Sequence, residues 1–227
     1  MSVKKAAWTE ALQKRDEQYQ LKRQALLQTA ARAFNELGFD RASLDDLARR
    51  LNVTKPTLYY YIKSKDEILF ECQKQAVEHM RLTLDQIRSS DKPALEKLSL
   101  FLVRYTELVA EDFGRCLVLS SHKALQPKNR AKMAAARRRL DNDVRNLIAQ
   151  GIAEGSIAPC NPKLVTSALF GAVNWTAHWY SRDGELTPRA VGEAFLSTFL
   201  SGLVPRQAAQ TVRKDQKQAR GERALRV

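Results

Sequence analysis

The chain has 227 residues, 28% of them charged, and its 38 Lys and Arg against 25 Asp and Glu leave a formal net charge of +13. That length leaves room for two unequal domains with a proper core, and that charge calls for a polyanionic partner, either nucleic acid or an anionic membrane surface. No apolar run approaches the ~20 residues of a membrane span, and the start of the chain, with Lys4, Lys5, Glu10, Lys14 and Arg15, has no apolar signal core, so a soluble cytoplasmic protein is expected, without a membrane partner. Cys72, Cys116 and Cys160 are odd in number and far apart, and His79, His122 and His178 are equally scattered, which suggests neither a disulfide framework nor a metal site. With no phosphate-binding glycine loop or nucleophile elbow either, neither an enzyme nor a cofactor is expected.

Apolar residues recur at three and four rather than two, so the chain reads as all-α, with about nine helices. After a basic arm over residues 1–18, a first helix over 19–37 places Leu26, Leu27, Ala30, Ala33, Phe34 and Leu37 on one face and stops at Gly38-Phe39. Two short helices complete a head over 19–66. A larger domain over 67–204 begins with a linking helix over 65–88. Asp91-Lys92-Pro93 then restarts the chain into a helix ending near Gly114, and a shorter one follows over 116–125. A long amphipathic helix over 129–154 has Met133, Leu140, Val144, Leu147 and Ile148 as its seam and closes at Gly155. Asn161-Pro162 and Thr187-Pro188 open the last two helices, which the Asp183-Gly184 turn joins, and the polar, basic stretch 205–227 reads as a disordered tail.

Residues 43–65 carry the sharpest signal. Ser43 with Asp46 makes a capping-box start for a helix whose Leu44, Leu47, Ala48 and Leu51 face inward, and Asn52-Val53 breaks it after barely two turns. Thr54 then caps a second short helix that tolerates Pro56 in its first turn and turns Leu58 and Ile62 inward. That leaves Pro56, Thr57 and Tyr60 on the opposite face, flanked by Lys55, Tyr59 and Tyr61. A B-DNA major groove meets such a face with thymine methyls and base edges at its centre and phosphate oxygens at its rims. The competing account of the tyrosines is a packed aromatic cluster between helices, with Tyr59 the one expected to be partly buried. Ser64-Lys65-Asp66-Glu67 repeats the capping pattern and sets free backbone N–H groups beside Lys65, a phosphate clamp. Arg49, Arg50 and Lys63 fit a solvated basic face as well as phosphate contact.

Leu44-Asp45-Asp46-Leu47-Ala48, Val53 through Ile62 and Lys63-Ser64-Lys65-Asp66 together resemble the TetR family of helix-turn-helix regulators over roughly residues 20 to 70. The resemblance implies that Lys55, Pro56 and Thr57 meet bases or nearby phosphates, that Tyr59, Tyr60 and Tyr61 face groove and backbone, and that Lys65 binds a phosphate. Ser43 and Thr54, at the two helix starts, complete the DNA-binding set. Tyr61 and Ile62 depart from the histidine and phenylalanine that many relatives carry, which bears on the sequence that is read. The resemblance also implies a homodimer on a palindromic double-stranded operator, built from the last two helices, with Ala168, Ala172, Val191, Phe195 and Phe199 as seam candidates.

The segment from Phe170 to Tyr180 with Asp183-Gly184-Glu185-Leu186-Thr187-Pro188 looks like the penultimate helix of family members that respond to acyl-CoA thioesters. Trp175 and Trp179 share a face, with Asn174 and His178 beside them, and serve either as a dimer seam or as a pocket wall. The basic run with Lys128, Arg130, Lys132, Arg137, Arg138 and Arg139 is either a solvated helix face or a landing site for the phosphates of a CoA-like anion. The leading expectation is a repressor released by a small-molecule effector, an acyl-CoA thioester fitting best. Competing with it are a nucleoid-type protein that coats DNA without an effector, an efflux-type regulator sensing cationic drugs, and an enzyme acting on acyl-CoA, for which no base or nucleophile is found.

Overall fold

A computed structural model describes residues 2–201, with side chains from residue 13 onward except that of His122. Nine α-helices and one 3-10 turn make up the described part, with no strand among those residues. The tail expected over 205–227 lies outside it.

Helix α1 (Ser2–Leu37) starts well before the expected residue 19. Lys, Ala, Glu, Gln and Leu dominate the stretch before Tyr19, and each favours the helix on its own, so the helix runs on where no core supports it. Its stop is as expected: Gly38 adopts φ 79°, a left-handed conformation that costs glycine little, and donates its N–H to the Phe34 carbonyl at 3.0 Å. Helices α2 (Leu44–Leu51) and α3 (Lys55–Tyr61) follow, and α4 (Lys65–Arg88) connects to the larger half.

The larger half holds α5 (Ala94–Ala110), α6 (Asp112–Leu119), the 3-10 turn His122–Ala124, α7 (Pro127–Ala153), α8 (Pro162–Trp179) and α9 (Pro188–Ser201). Here the expected boundaries shift. Gly114 ends nothing: it lies inside α6, where a Cβ would come within 1.8 Å of the Leu108 carbonyl oxygen, so this glycine lets α6 pass against the end of α5. The break falls instead at Glu111, and the helix expected over 116–125 begins at Asp112 and gives way to the 3-10 turn.

Helix α5 packs against α4, α6, α7, α8 and α9, as the central element of this half. One apolar core runs through the whole body. It joins Leu26, Leu27 and Phe34 of α1 to Leu47, Leu58 and Ile62 of the short helices, then continues along α4 through Ile68, Leu69, Met80 and Leu84 to Phe101 and Ile148. Burying such side chains stabilises by roughly 1.5–3 kcal/mol each, so the continuity of this core fixes how head and larger half sit together.

Candidate DNA-reading head and effector pocket

The start of α2 shows the expected capping box. The Ser43 hydroxyl accepts from the Asp46 N–H at 3.0 Å, while an Asp46 carboxylate oxygen accepts from the Ser43 N–H at 3.1 Å and from its hydroxyl at 2.7 Å. These bonds, with Arg49 and Arg50 nearby, hold the Asp46 carboxyl below its ordinary pKa. Ser43 is thus occupied in shaping the turn. Asn52, at φ 53°, reverses the chain in the left-handed region that asparagine tolerates. Thr54 occupies the cap position of α3 without capping it, because its hydroxyl pairs with that of Thr57 at 2.8 Å.

Leu58 and Ile62 are buried and anchor α3, whose outer face presents Lys55, Pro56, Thr57, Tyr59 and Tyr60 to solvent. The tyrosines divide differently from expectation. Tyr60 is 71% and Tyr59 50% exposed, whereas Tyr61 is the half-buried one, with its ring centroid 5.0 Å from that of Tyr60 and 5.0 Å from that of Tyr19 on α1. The aromatic-cluster account therefore holds for Tyr61 and the exposed-face account for the other two. Lys55 pairs with Asp45 at 3.0 Å, a bond that raises the pKa of its ammonium. Lys65 donates to the Asp40 carbonyl at 3.2 Å and lies 4.4 Å from the centroid of the Phe39 ring, and burial lowers its pKa. That single bond leaves two of the ammonium's N–H groups for a phosphate. Ser64 accepts from the Glu67 N–H at 3.1 Å, but the Glu67 carboxylate returns to the Lys63 N–H at 2.6 Å, one residue outside the expected box.

In the larger half a cavity of about 400 Å³ opens among α4, α5, α6, α7 and α8. Val77, Met80, Leu117, Leu140 and Phe170 give it apolar walls, and Tyr105 with Asn174 supplies a polar point, the phenol donating to the Asn174 side-chain oxygen at 2.7 Å. Burial pushes the Tyr105 pKa up, so the phenol stays a donor at any physiological pH. Arg137 donates to the Leu117 carbonyl at 2.9 Å, and although burial lowers its pKa, an arginine retains its charge. Arg138 and Asp141 also line this cavity.

Of the expected effector residues, then, Asn174, Arg137 and Arg138 come together, and the other four do not. Trp175 is 63% and Trp179 48% exposed, with His178 exposed beside them and its ring 4.6 Å from that of Trp175. The reason is angular: Asn174 sits where the inward face of α8 ends, and the next residue lies 100° further round. Arg130 donates twice to the Leu125 carbonyl, at 3.3 and 3.1 Å, at the start of α7 and outside the cavity lining. Tyr105 and Phe170, which line the cavity, lie outside the expected effector set. The signal for them was a hydroxyl within the inward stripe of α5 and an aromatic ring one turn before Asn174.

The seam candidates also divide. Ala168 and Phe199 are exposed and Ala172 and Phe195 half-buried on the outer face of α8 and α9, which Leu164, Trp175, Trp179 and Leu200 extend. Val191 departs from this group: it is 3% exposed, packed with Ala110 and Tyr180 inside its own chain.

Asp112, at the start of α6, is a further residue that periodicity alone did not mark. Its carboxylate accepts from Gln28 and from Arg32 of α1, each at 2.7 Å, and from Arg182 in the α8–α9 turn at 2.9 Å, while its carbonyl accepts from Asn35 at 2.9 Å. Burial alone would raise its pKa, but the bonds from Arg32 and Gln28 and the charge of Arg182 outweigh burial and hold the carboxyl below its ordinary value. One side chain therefore ties the head's first helix, α6 and the last turn together.

Comparison with known proteins agrees with this arrangement. Residues 26–72 match the family described as bacterial regulatory proteins, tetR family, and residues 91–203 match the tetracyclin repressor-like C-terminal domain. The chain is 22% identical over 189 residues to the HTH-type transcriptional repressor KstR2 of Mycolicibacterium smegmatis, covering 82% of this chain and 92% of that one. It is also 22% identical to the fatty acid metabolism regulator protein of Bacillus subtilis over 183 residues, 78% of this chain and 93% of that one. Among solved structures, the TetR family regulator PfmR from Thermus thermophilus superposes with a TM-score of 0.74 at 27% identity over 79% of this chain and 99% of its own. AibR in complex with isovaleryl coenzyme A and operator DNA gives 0.70 at 23% identity over 78% and 96%. Among the described residues no helix is long and apolar enough to cross a membrane. With a helix-turn-helix head, an all-helical larger half and both family domains matched in order, the chain belongs to the TetR family of DNA-binding transcriptional regulators.

Proposed function

We propose that the protein is a cytoplasmic homodimeric repressor that grips a palindromic operator with two α3 helices and is released when an amphipathic anion fills the larger half. The observation that carries this reading is the cavity with apolar walls, the hydrogen-bonded pair of buried Tyr105 with half-buried Asn174 and two arginines, built on the helix that also holds α1. Leu117 and Val118 of α6 line it, and Asp112 of the same helix clasps Gln28 and Arg32. A ligand that displaces α6 therefore changes where α1 sits.

An acyl-CoA thioester fits this site best, and one neighbour in fold, AibR, is described as bound to isovaleryl coenzyme A. The acyl part lies against Met80, Tyr105 and Phe170, and Arg137 and Arg138 supply charge. Pockets of this size bury a drug-sized ligand, so the bulkier nucleotide end stays outside. The two tryptophans belong to the other half of the proposal. A second copy covers the outer face of α8 and α9, where Trp175, Trp179, Ala168, Ala172, Phe195 and Phe199 stand. Two heads on one palindrome multiply their affinity.

The test titrates acyl-CoAs, the matching free acids and cationic drugs against the complex of the protein with its selected duplex. Release by acyl-CoAs alone is expected. Release by cationic drugs alone overturns the effector assignment, and failure of every compound at saturating cavity occupancy overturns the repressor mechanism.

A further inference from the structure

Helix α1 does more than pack the head. Its described side chains from residue 13 have no core behind them until Leu26, the first that is buried, and ahead of Leu26 the polar ties to α4 among the described residues are Gln24 with Gln75, at 3.0 and 3.1 Å, and Arg23 with Glu71, at 3.4 Å. Ahead of those ties, Tyr19 lies with its ring 5.6 Å from Tyr60 and 5.0 Å from Tyr61. The N-terminal part of α1 thus leaves the head at the edge of the α3 face that reads DNA. The helix continues back to Ser2, about 25 Å beyond Tyr19 at 1.5 Å per residue, a large part of one ~34 Å turn of duplex.

The charges on this stretch are sorted by face. Arg15 precedes Tyr19 by one turn on the same ridge, and Lys14, Gln18 and Lys22 form the neighbouring ridge at intervals of four. Asp16 falls on the opposite side of the helix, and Glu17, three residues after Lys14, on the flank beside it. Lys14, Arg15, Gln18 and Lys22 are all exposed, and no acidic group among the described residues pairs with the three cations. Among the described side chains from 13 to 22 there is a cationic side with a polar amide within it and no buried apolar face, which offers little to a protein core. It has what a phosphate backbone takes.

We propose that the N-terminal part of α1 is a second DNA-contacting element, in which Lys14, Arg15 and Lys22 hold backbone phosphates beyond the stretch read by α3, while Tyr19 fixes the angle at which the helix leaves the head. The contact carries no base information, so it strengthens binding to every duplex and leaves operator choice to α3. Each phosphate neutralised releases counterions and adds about 0.9 to the slope of log affinity against log salt.

The test uses the full chain and fluorescence anisotropy on a mixed-sequence duplex several turns long, over a salt series. Replacing all three cations (Lys14→Ala, Arg15→Ala, Lys22→Ala) should shallow the slope by about 2 to 3 units for each bound head, twice that for a dimer with both heads on the duplex, and weaken binding about tenfold or more, and Lys22→Ala alone should remove about one unit per head. The charge-keeping set Lys14→Arg, Arg15→Lys and Lys22→Arg should restore both. An unchanged slope overturns the proposal. So does a charge-keeping set as weak as the alanine set, or a loss explained by a change of association state in sedimentation. The proposal rests on the head binding duplex DNA, which the unsubstituted chain reports on the same duplex.

Discussion

Replacing Asp112 by asparagine keeps the shape at the start of α6 and removes the charge that Gln28, Arg32 and Arg182 share. A hydrogen bond to a charged group contributes about 1.5–3 kcal/mol. Both arginines are more than half exposed, however, so water screens their share heavily, and only the bond from Gln28 and the burial of the carboxylate keep near full weight. A net loss of about 1–2 kcal/mol at pH 7 follows, which for a chain of this size lowers Tm by roughly 3–6 °C. The pH dependence sharpens the test. Because the folded-state pKa of Asp112 is depressed, its stabilisation is complete well above the unfolded value of about 3.9 and is lost as pH falls through the folded pKa. The gap between the parent protein and Asp112→Asn should therefore be full at pH 7 and shrink in acid. Thermal melts followed by circular dichroism across that range measure it. A gap within about a degree at pH 7, or one that widens as pH falls, refutes the account of Asp112 as a charged clasp.

Gly114→Ala drives a methyl group to 1.8 Å from the Leu108 carbonyl oxygen, so α5 and α6 must part, and a loss of stability of several kcal/mol is expected in urea unfolding. Tyr60→Ala should cost ~1–3 kcal/mol at the selected operator with little effect on random duplex. Lys65→Ala should weaken binding to all sequences and shallow the salt slope by about one unit if the lysine binds a phosphate, and competition binding on both duplexes separates the two variants. Phe199→Glu with Trp175→Glu places two carboxylates on the outer face of α8 and α9 without touching the protomer's core, and sedimentation should show monomers that no longer hold the operator. Dimers that persist would move the interface elsewhere.

What the sequence disclosed depended on how local the cause was. The turn at Gly38, the box of Ser43 with Asp46, the reversal at Asn52 and the proline starts of α8 and α9 are each decided within four or five residues, and they stand where expected. Causes that act between helices were hidden. Gly114 looked like a stop because its real reason, the nearness of Leu108 in α5, is a tertiary contact. Spacing alone left Trp175 and Trp179 between a dimer seam and a pocket wall, while the angular position of Asn174 on α8 decided which side faces the cavity. Tyr61 fell on the flank of the reading face by periodicity and was drawn off by Tyr19, more than forty positions away. Asp112 has partners in α1 and in the last turn, and no pattern within α6 could have announced them.

The single apolar core that threads from Leu26 through α4 has a practical meaning for anyone recombining such regulators. Exchanging reading heads between relatives is commonly imagined as a cut at the start of the linking helix, but here Ile68, Leu69 and Cys72 are wholly inaccessible to solvent within that core, and the Cys72 thiol meets the Leu27 carbonyl at 3.5 Å. A transplanted head that stops at residue 66 would arrive without the surface it is folded around. A workable junction must carry the first three turns of α4 with the head, and it must also bring Gln28, Arg32 and Asn35 opposite an acidic residue in the position of Asp112, or the graft will bind DNA without hearing its new host.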